Sequence, residues 1–440
     1  EVGNSNVSSF AYQRMGTYVQ SIWGTSLQTA NIANPDLTWE STRSWNAGID
    51  LNFFNNRVEF ILDAYIKKTR NLLLQQDYPG YMGTTGNGAA AAQWANIGSM
   101  ENKGFEFTLN TVNISNRDFQ WRTNVTFSLN RNKVASMNTQ NAFIDKTYQN
   151  SGQTEVITRT AVGHPVSQFY GYKAIGRINS ASDYLIDNGD GTSTVKIATP
   201  VLRVGDCVVN SGTDKGSLVK QVYIGDYIYE DLNNDGVIDE KDQTYLGSPL
   251  PKFTYGINNT FKYKNFDLTV FLYGSYGNKA MNYLSRRITN PNSSGNVHRS
   301  VANHARLGYL DGNPENTNVW NMYILPGSNG LCRMSVNDAN DNDRISSLYV
   351  EDASFLRIQN IALGYTLPKQ WLKKLKIENA RIYANIKNVY TFTGYDGYDP
   401  EIGSTQAQYS YSGQSMLMYG VDTGRCPSPR IYTFGIDLTF

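Results

Sequence analysis

The sequence lacks a long apolar run and carries almost no net charge. Nowhere does it reach the roughly 18 consecutive apolar residues of a transmembrane helix, which excludes that class of membrane protein. With 39 basic and 38 acidic residues the formal net charge is +1, so no overall field attracts nucleic acid or an anionic membrane surface. A transmembrane β-barrel is still allowed, because only alternate residues of its strands need be apolar.

Cysteine and histidine are also scarce. The three cysteines, Cys207, Cys332 and Cys426, lie far apart without a CxxC pair, which predicts neither a disulfide framework nor a zinc site. The three histidines are too scattered for most catalytic or metal constellations. No Ser/His/Asp or Cys/His set can be assembled, and neither Glu351–Asp352 nor Asp239–Glu240 has a context that suggests glycoside hydrolysis. The sequence therefore predicts a protein that is not an enzyme.

Aromatic residues are abundant: they make up 12% of the chain, and 30 of them are tyrosines. A tyrosine has an apolar ring and a hydroxyl that prefers water, which suits the interfacial girdles of a membrane barrel. A soluble, tyrosine-rich β protein, such as a glycan-binding one, has a similar composition. Composition leaves both classes open.

Strict alternation of apolar and polar residues recurs along the chain. In the closing stretch IYTFGIDLTF (431–440) every even position is apolar. The same period of two predicts strands at the following ranges: 44–54, 57–67, 102–111, 119–132, 252–263, 266–276, 352–366, 378–391 and 430–440, with a further one near 167–177. The longer runs exceed the roughly 5 to 6 residues typical of soluble strands and match the roughly 9 to 11 needed to cross a bilayer at a tilt.

The connections between these strands alternate between short and long. Short ones are predicted at 55–56, 113–118 and 263–265, and a helical turn at 368–379. Long ones are predicted at 70–100, 132–165, 178–250, 277–348 and 392–428. This alternation is typical of barrels with tight periplasmic turns and long extracellular loops. The polar faces suit a wet lumen, with Glu59, Asp63, Glu106, Arg122, Asp267 and Asp437. The predicted fold is an all-β, transmembrane antiparallel β-barrel.

Three stretches carry a resemblance to a known family: NPDLTWESTRSWNAGIDLNFFNNRVEFILDAYIKKTRNLL (34–73), GDYIYEDLNNDGVIDEKDQTYLGSPLPKFTYGINNTFKYKNFDLTVFLYG (225–274) and YVEDASFLRIQNIALGYTLP (349–368). They resemble the C-terminal barrel region of SusC/RagA-type TonB-dependent transporters of the Bacteroidetes outer membrane. The final residues, which end on Phe440, also fit the signal for outer-membrane assembly.

The resemblance implies a 22-stranded, multi-pass barrel in the cell outer membrane, plugged by an N-terminal domain. It implies import of oligosaccharides or peptides, energy supplied through TonB, and a SusD-like surface lipoprotein as partner. Neither a plug domain nor a TonB box is found in residues 1–440, which are therefore expected to hold about the last ten strands. The opening EVGNSNVSSFAYQRMG does not look like a signal peptide, which favours a processed or partial polypeptide.

One compact motif, DLNNDGVIDEKD at 231–242, lies in the predicted extracellular insert 178–250. Counted from Asp231, the EF-hand pattern places oxygen ligands at Asp231, Asn233, Asp235, the backbone of Val237, Asp239 and Asp242, with Gly236 at the sharp turn. This spacing predicts a Ca²⁺ site that braces the loop, since the flanks look like strands or turns rather than helices. The alternative is a metal-free turn rich in Asx residues and glycine.

Three functions remain open on sequence alone. An active importer would use polar lumen residues and loop aromatics, for which Trp94, Tyr309, Trp320 and Tyr395 are candidates. A passive porin would need neither plug nor partner. A soluble carbohydrate-binding β protein would leave membranes without detergent.

Overall fold

The computed structural model describes residues 2–3, 12–21, 24–76, 93–137, 142–150, 153–200, 222–291, 293, 295–328, 330–335, 338–373, 377–403 and 416–440. No helix within these ranges is both long and apolar enough to span a membrane.

The first half of the chain forms β1 (Val2–Gly3), β2 (Gly16–Ser21), β3 (Gly24–Thr29), β4 (Glu40–Phe53), β5 (Val58–Gln76), β6 (Gln93–Ser115), β7 (Phe119–Met137), β8 (Phe143–Asn150), β9 (Gln153–Ala161), β10 (Gln168–Tyr172), β11 (Ala174–Arg177), α1 (Ala181–Tyr184), β12 (Leu185–Asp187), β13 (Ser193–Val195) and β14 (Thr199–Pro200). The second half forms β15 (Tyr227–Tyr229), β16 (Val237–Ile238), β17 (Gln243–Gly247), β18 (Phe253–Tyr263), β19 (Phe266–Tyr276), β20 (Lys279–Asn282), α2 (Tyr283–Ile288), β21 (His304–Ala305), β22 (Leu307–Tyr309), β23 (Met322–Ile324), β24 (Leu331–Arg333), β25 (Val350–Asp352), β26 (Phe355–Thr366), α3 (Lys369–Leu372), β27 (Asn379–Thr393), β28 (Val421–Asp422) and β29 (Ile431–Thr439). Single 3₁₀ turns lie at Glu240–Asp242, Arg299–Asn303, Val319–Asn321, Ser347–Tyr349 and Met416–Met418.

The long strands form one antiparallel, ten-stranded sheet in the order β1-β4-β5-β6-β7-β18-β19-β26-β27-β29. Apart from β1, neighbours in the sheet are also neighbours among the long strands of the chain. Short turns at 54–57, 116–118 and 264–265 and the turn that contains α3 join the strands at one end. All the long connections lie at the other end, as the alternation of loop lengths predicts.

The two faces of this sheet differ sharply in chemistry. On one face, which we call the outer face, large apolar side chains are exposed, with Trp45 78% and Phe434 79% exposed. Aromatic rings on this outer face contact one another across strands, as in the pair Phe60–Phe107, whose centroids lie 5.0 Å apart, and the pair Phe127–Phe253, at 5.2 Å. An exposed apolar face of this extent suits hydrocarbon rather than water.

A small polar group interrupts the outer face. The Nε1–H of Trp121 donates to Oδ1 of Asn259 at 3.0 Å, and the hydroxyl of Thr123 donates to the same oxygen at 2.8 Å. The donors and the acceptor thus satisfy one another within the face, which lowers the cost of placing them beside an apolar surround.

Close packing of a tyrosine on a glycine fixes the last pair of strands. Gly435 on β29 lies opposite Tyr383 on β27, and a Cβ at Gly435 would lie 2.4 Å from Cζ of that ring. Only a residue without a side chain leaves room for the ring to lie over the neighbouring strand.

The long connections pack together into a layer over one end of the sheet, which we call the outer layer. It contains the four-stranded sheet β17-β10-β9-β8 and several short strand pairs. One core cluster surrounds the fully buried Phe169, Met281 and Tyr283, and another surrounds Tyr184 and Tyr223. The loops therefore have hydrophobic cores of their own.

Most of the predicted strands are confirmed. Three predictions are wrong, namely the sheet to which one strand belongs and the lengths of two loops. The predicted strand at 167–177 does not join the main sheet, because its residues form β10 and β11 in the outer layer. The predicted loops 70–100 and 132–165 are shorter than expected, since β5 runs to Gln76 and β7 to Met137. The helical turn predicted at 368–379 is present as α3.

Two edges of the main sheet have little pairing among the described residues. Beyond its ladder with β5, β4 pairs only at Glu40 and Ser41, with β1, and β29 pairs only with β27. A sheet in lipid needs partners for every backbone N–H and C=O group. Closing this sheet therefore requires further strands beside β4 and β29, and the 22-stranded barrel with a plug stays a prediction.

The assignment of the two faces can be tested with spin labels in a cysteine-free background. Labels at Phe60 and Phe127 should collide mainly with oxygen dissolved in acyl chains, because both side chains lie on the outer face. Labels at the adjacent Glu59 and Thr126 should collide mainly with a water-soluble nickel chelate. Power-saturation measurements in reconstituted bilayers give the accessibility of each label to oxygen and to the nickel chelate. The assignment would be contradicted if, in either pair of adjacent labels, the outer-face label were the one more accessible to the nickel chelate.

Candidate functional site

The inner face of the main sheet is lined by polar side chains in transverse rows. One row crosses the sheet from Glu59 through Asn110, Asn124 and Asn258 to Asn360, with Phe271 between the last two. The Asn110 amide donates to Glu59 Oε2 at 2.8 Å, and the Asn124 amide donates to Asn110 Oδ1 at 2.6 Å. The carboxylate thus orients a chain of carboxamides that strand alternation alone does not reveal.

Charge is divided unevenly along the inner face. The strands β4 to β6 carry the carboxylates Asp50, Glu59, Asp63 and Glu106, which outnumber the cation Lys67, and Asp63 lies directly opposite Glu106. From β7 onward cations outnumber the carboxylates Asp267 and Asp437, and these cations are Arg122, Lys262, Arg357, Arg381 and Lys387. All six charged residues predicted for a wet lumen lie on this face. A groove of about 600 Å³ runs over the acidic part.

Arg381 ties three strands together on the inner face. Its guanidinium lies 2.6 Å from Asp267 on β19 and 3.3 Å from Asp437 on β29. Gly364 on the intervening strand makes room, because a Cβ there would lie 2.4 Å from Arg381 Nη2. This arrangement holds the charges in fixed positions near the short-turn end.

Buried arginines hold the outer layer together and to the sheet. Arg286 donates to both oxygens of Glu155 at 2.6 Å. Arg357 on β26 lies 2.6 Å from Asp399 and 2.7 Å from Glu401, which fixes the loop after β27 above the inner face. Removing one partner of a buried pair such as Arg286–Glu155 costs several kcal/mol of folding stability, since the other charge stays buried.

A further buried pair joins Asp226 and Arg333 at 2.7 Å. The carboxamide of Asn342 donates to Asp226 at 3.0 Å and to Asp338 at 2.6 Å, so the two carboxylates share one donor. Burial, and secondly the charge of Asp226, raise the pKa of Asp338 to about 7. The outer layer therefore contains a carboxyl group that titrates near neutral pH.

The backbone of the predicted calcium loop makes the sharp turn that its motif predicts. Asn234 and Gly236 lie in the left-handed region, with φ of 60° and 82°. The carboxylate of Asp231 accepts the backbone N–H groups of Asn234 and Gly236 at 2.7 and 2.8 Å. The flanks are β15 and β17 rather than long helices, as predicted.

The oxygen atoms of this loop already have partners within the loop. The buried Asp242 accepts the N–H groups of Leu232 and Asp239 at 2.9 and 2.8 Å. The ammonium of Lys241 lies 3.2 Å from Asp239 and 3.8 Å from Asp235. In the described part of the chain, no group of three or more His, Cys, Asp or Glu residues is arranged to hold a metal ion. The hard oxygen donors fit Ca²⁺ chemically, and the site with Asp231, Asn233, Asp235, Val237, Asp239 and Asp242 stays a prediction.

The loop aromatics proposed as ligand contacts mostly have structural partners. Tyr395 is buried and its hydroxyl donates to Asp422 at 2.8 Å. Tyr309 and Trp320 pack against a core cluster of the outer layer, and Trp94 lies on β6 rather than in a loop. Apart from Trp94, these rings have packing roles, and the polar rows of the inner face are the stronger candidates for ligand contact.

Comparisons with known proteins agree with this geometry. Residues 5–196 match the family described as "TonB dependent receptor-like, beta-barrel". TonB-dependent receptor P3 of Formosa agariphila is 30% identical over 445 residues, which cover 100% of this chain and 38% of that protein. TonB-dependent receptor SusC of Bacteroides thetaiotaomicron is 25% identical, over 92% of this chain and 32% of that protein.

A solved structure titled "Structure of the RagAB peptide transporter" shares the fold, with a TM-score of 0.69 and 20% identity over 100% of this chain and 40% of that chain. The chain thus spans about a third to two fifths of the length of these relatives.

An antiparallel sheet with an apolar outer face, a polar inner face and all long loops at one end defines part of an outer-membrane β-barrel. Within that class the chain is homologous to part of the barrel of TonB-dependent receptors, among them SusC of Bacteroides thetaiotaomicron, and these receptors are not enzymes.

Calcium binding can be tested on the purified, full-length protein. Isothermal titration should detect a Ca²⁺ site, and Asp235→Asn should weaken it about tenfold, or roughly 1.4 kcal/mol, because a ligand charge is lost. Lys241→Gln should tighten it, since a competing cation is removed. EGTA should speed proteolysis within 178–250.

The control for calcium is Asp190→Asn, which alters another carboxylate of the same insert that accepts an N–H group of its own loop. Absence of binding heat together with unchanged cleavage in EGTA would support the metal-free turn.

The outer layer should be more stable in acid than in mild base. Because the pKa of Asp338 is about 7 in the folded chain and ordinarily 3.8, the folded state favours the neutral acid. Its stabilisation is complete below about pH 4 and is lost as the pH rises through 7. Hydrogen exchange, corrected for intrinsic rates, should show local opening of residues 338–350 at least about tenfold more favourable at pH 8 than at pH 5, since one pKa unit is about 1.4 kcal/mol.

Asp338→Asn should reduce this pH dependence, leaving the part due to the buried Asp226 and Asp343, whose pKa values burial also raises, whereas the exposed Asp187→Asn should retain it in full. An unchanged profile in the Asp338 variant would assign the effect to other groups.

Proposed function

We propose that this chain forms part of the barrel of an active outer-membrane importer for oligosaccharides or peptides. The importer is driven through TonB and works with a SusD-like surface lipoprotein. The observation that carries the proposal is the homology to TonB-dependent receptors along the full chain, combined with a sheet that is polar inside and apolar outside.

Support for a cargo comes from the relatives. SusC and the RagAB peptide transporter are the types this chain resembles, and resemblance to them implies a paired surface lipoprotein. In the proposal the outer layer faces the outside and receives the cargo. Buried arginine pairs cross-link the described part of the outer layer, so in the proposal this part presents a fixed surface to the cargo.

The inner face offers the cargo hydrogen bonds in place of water. Rows of carboxamides can both donate and accept, and the uneven charge favours cations along β4 to β6 and anions along the later strands. In the same proposal a Ca²⁺ ion at 231–242 braces the insert before β18.

Dependence on an energy source separates this proposal from a passive porin. Uptake of dye-labelled peptides and oligosaccharides by intact cells should fall to background when TonB is deleted, because an importer closed at rest opens only when driven. Deletion of the gene for the proposed SusD-like lipoprotein should lower uptake of the same cargo.

Correct insertion of the barrel in both deletion strains should be verified by the heat-dependent shift of its electrophoretic mobility. Uptake that continues unchanged without TonB, with steady conductance in planar bilayers, would identify a porin.

A further inference from the structure

A cluster of polar side chains lies on the outer face near the short-turn end of β6, β7 and β18. Besides Trp121, Thr123 and Asn259 it includes Asn113, whose amide donates to the Thr123 hydroxyl at 2.7 Å. Asn113 lies at a register shift in the ladder of β6 with β7, and such a bulge redirects a side chain. The cluster therefore joins three neighbouring strands through hydrogen bonds between their side chains.

These hydrogen bonds fix the direction of the Asn259 carboxamide. Its Oδ1 accepts from both Trp121 and Thr123, so its Nδ2, which carries two N–H groups, is directed away from them. The strands on both sides of β18, which are β7 and β19, pair with it along almost its whole length. Neither a plug in the lumen nor further strands at the edges of the sheet would cover these N–H groups. They face the medium around the barrel.

Cations lie beside the cluster at the level of the short turns. Arg57 is exposed, and its guanidinium donates to the backbone oxygen of Asn113 at 2.9 Å. The ammonium of Lys264 lies 5.5 Å from the ring centroid of Tyr263, which is on the outer face. Both positive groups are thus held close to the surface that contains the cluster.

The short turns around the cluster carry a net positive charge. The turns 54–57, 116–118 and 264–265 contain three cations, Arg57, Arg117 and Lys264, and one carboxylate, Asp118, which gives a formal charge of +2. The N–H group of Lys264 donates to the backbone oxygen of Asp118 at 2.8 Å, so two of these turns contact each other. Basic clusters at a membrane surface attract anionic headgroups. The partner at this level is therefore expected to be an anion.

Different chemistries follow one another from the turns toward the middle of the sheet. After the cations come the rings of Trp121 and Phe261, stacked with centroids 5.6 Å apart, then the Asn259 amide, then aliphatic side chains such as Ile257. Asn259 lies about 13 Å along β18 from Tyr263, or about 10 Å in depth for a tilted strand. The polar interface of a bilayer is roughly 5 to 8 Å thick on each side. The amide therefore lies near the boundary between the headgroups and the acyl chains.

We propose that this surface binds a glycerophospholipid with a negatively charged headgroup. The phosphate lies among Arg57, Arg117 and Lys264, an ester carbonyl accepts from Asn259 Nδ2, and the acyl chains run along the apolar side chains beyond. A phospholipid presents phosphate, ester and hydrocarbon in this same order. With the outer layer outside, as in the proposed function, the site lies in the leaflet on the periplasmic side. Such a lipid holds the barrel in the membrane whatever cargo it carries.

Other occupants fit less of this surface. A zwitterionic phospholipid offers an ester carbonyl to Asn259 but no net charge to the cations. A neighbouring protein would exclude lipid from this part of the outer face altogether. Access of lipid, preference for an anionic headgroup and preference for an ester linkage therefore separate the three occupants.

Quenching of a fluorophore by brominated lipids tests the proposal on the purified full-length protein in bilayers. Bimane is attached through Leu268→Cys in a cysteine-free background, since Leu268 on β19 lies opposite Phe261 and beside the cluster. Phosphatidylcholine bilayers receive brominated phosphatidylglycerol with ester-linked or with ether-linked chains. The ester lipid should bind about fivefold more tightly than the ether lipid, because one hydrogen bond is gained. It should bind about tenfold more tightly than brominated ester phosphatidylcholine, because the cations favour an anion.

Two substitutions separate the amide from the charge. Asn259→Asp at pH 8 keeps an acceptor for Trp121 and Thr123 but has no N–H group, so the ester preference should disappear. Its added charge weakens both phosphatidylglycerols alike and cancels in their ratio. Lys264→Gln should lower the preference for phosphatidylglycerol over phosphatidylcholine about fivefold and leave the ester preference unchanged.

Two further variants are controls. Trp121→Phe should keep the ester preference, since Asn259 retains its Nδ2. Lys369→Gln, at the same end of the sheet but in the turn that contains α3, should keep both preferences. All variants should show the native heat-dependent mobility shift. If Asn259→Asp fails to insert, the double variant Trp121→Phe/Asn259→Leu takes its place, with the same expected loss of the ester preference.

Four results would overturn the assignment. They are absence of quenching, which would show that protein covers this face, equal affinity for the ester and ether lipids, an ester preference that persists in Asn259→Asp, and a headgroup preference that Lys264→Gln leaves unchanged. Failure of uptake through TonB with these lipid preferences intact would contradict the proposed function alone.

Discussion

The need to pair every backbone hydrogen-bonding group in hydrocarbon governs this structure. It forces long, regular strands into continuous ladders, and regular strands place neighbouring side chains on opposite faces. Each face then meets a different solvent, so the outer positions become aromatic or aliphatic and the inner positions polar. The length of the strands and the edges that need further strands both follow from this constraint.

Within that frame the inner face acquires specific chemistry through register. Arg381 reaches Asp267 only because Gly364 lies between them, and Asn124 reaches Glu59 only through Asn110. A slip by one residue would send all these groups into lipid. The apolar outer face therefore also protects the arrangement of the inner one.

The sequence predicted the sheet better than the outer layer, for a physical reason. Alternation is local, so strands such as β4 or β29 are visible in their own residues. The same alternation occurs at 167–177, where one face meets a protein core instead of lipid, and a single sequence does not distinguish the two. The pairs Glu155–Arg286 and Asp226–Arg333 join distant segments and have no local pattern. The carboxamides lie at visible inner positions, but their alignment depends on register between strands. The turn at Gly236 was evident from its motif, whereas the position of the Lys241 ammonium was not.

The buried bridge between Arg286 and Glu155 has a consequence for how such proteins diversify. Its two ends are 131 positions apart and belong to different connections. Replacing one of these connections with that of a relative would leave an unpaired charge in the interior, unless the other connection were replaced as well. Homologous proteins that differ in their surface loops are therefore expected to have exchanged these loops together rather than one at a time.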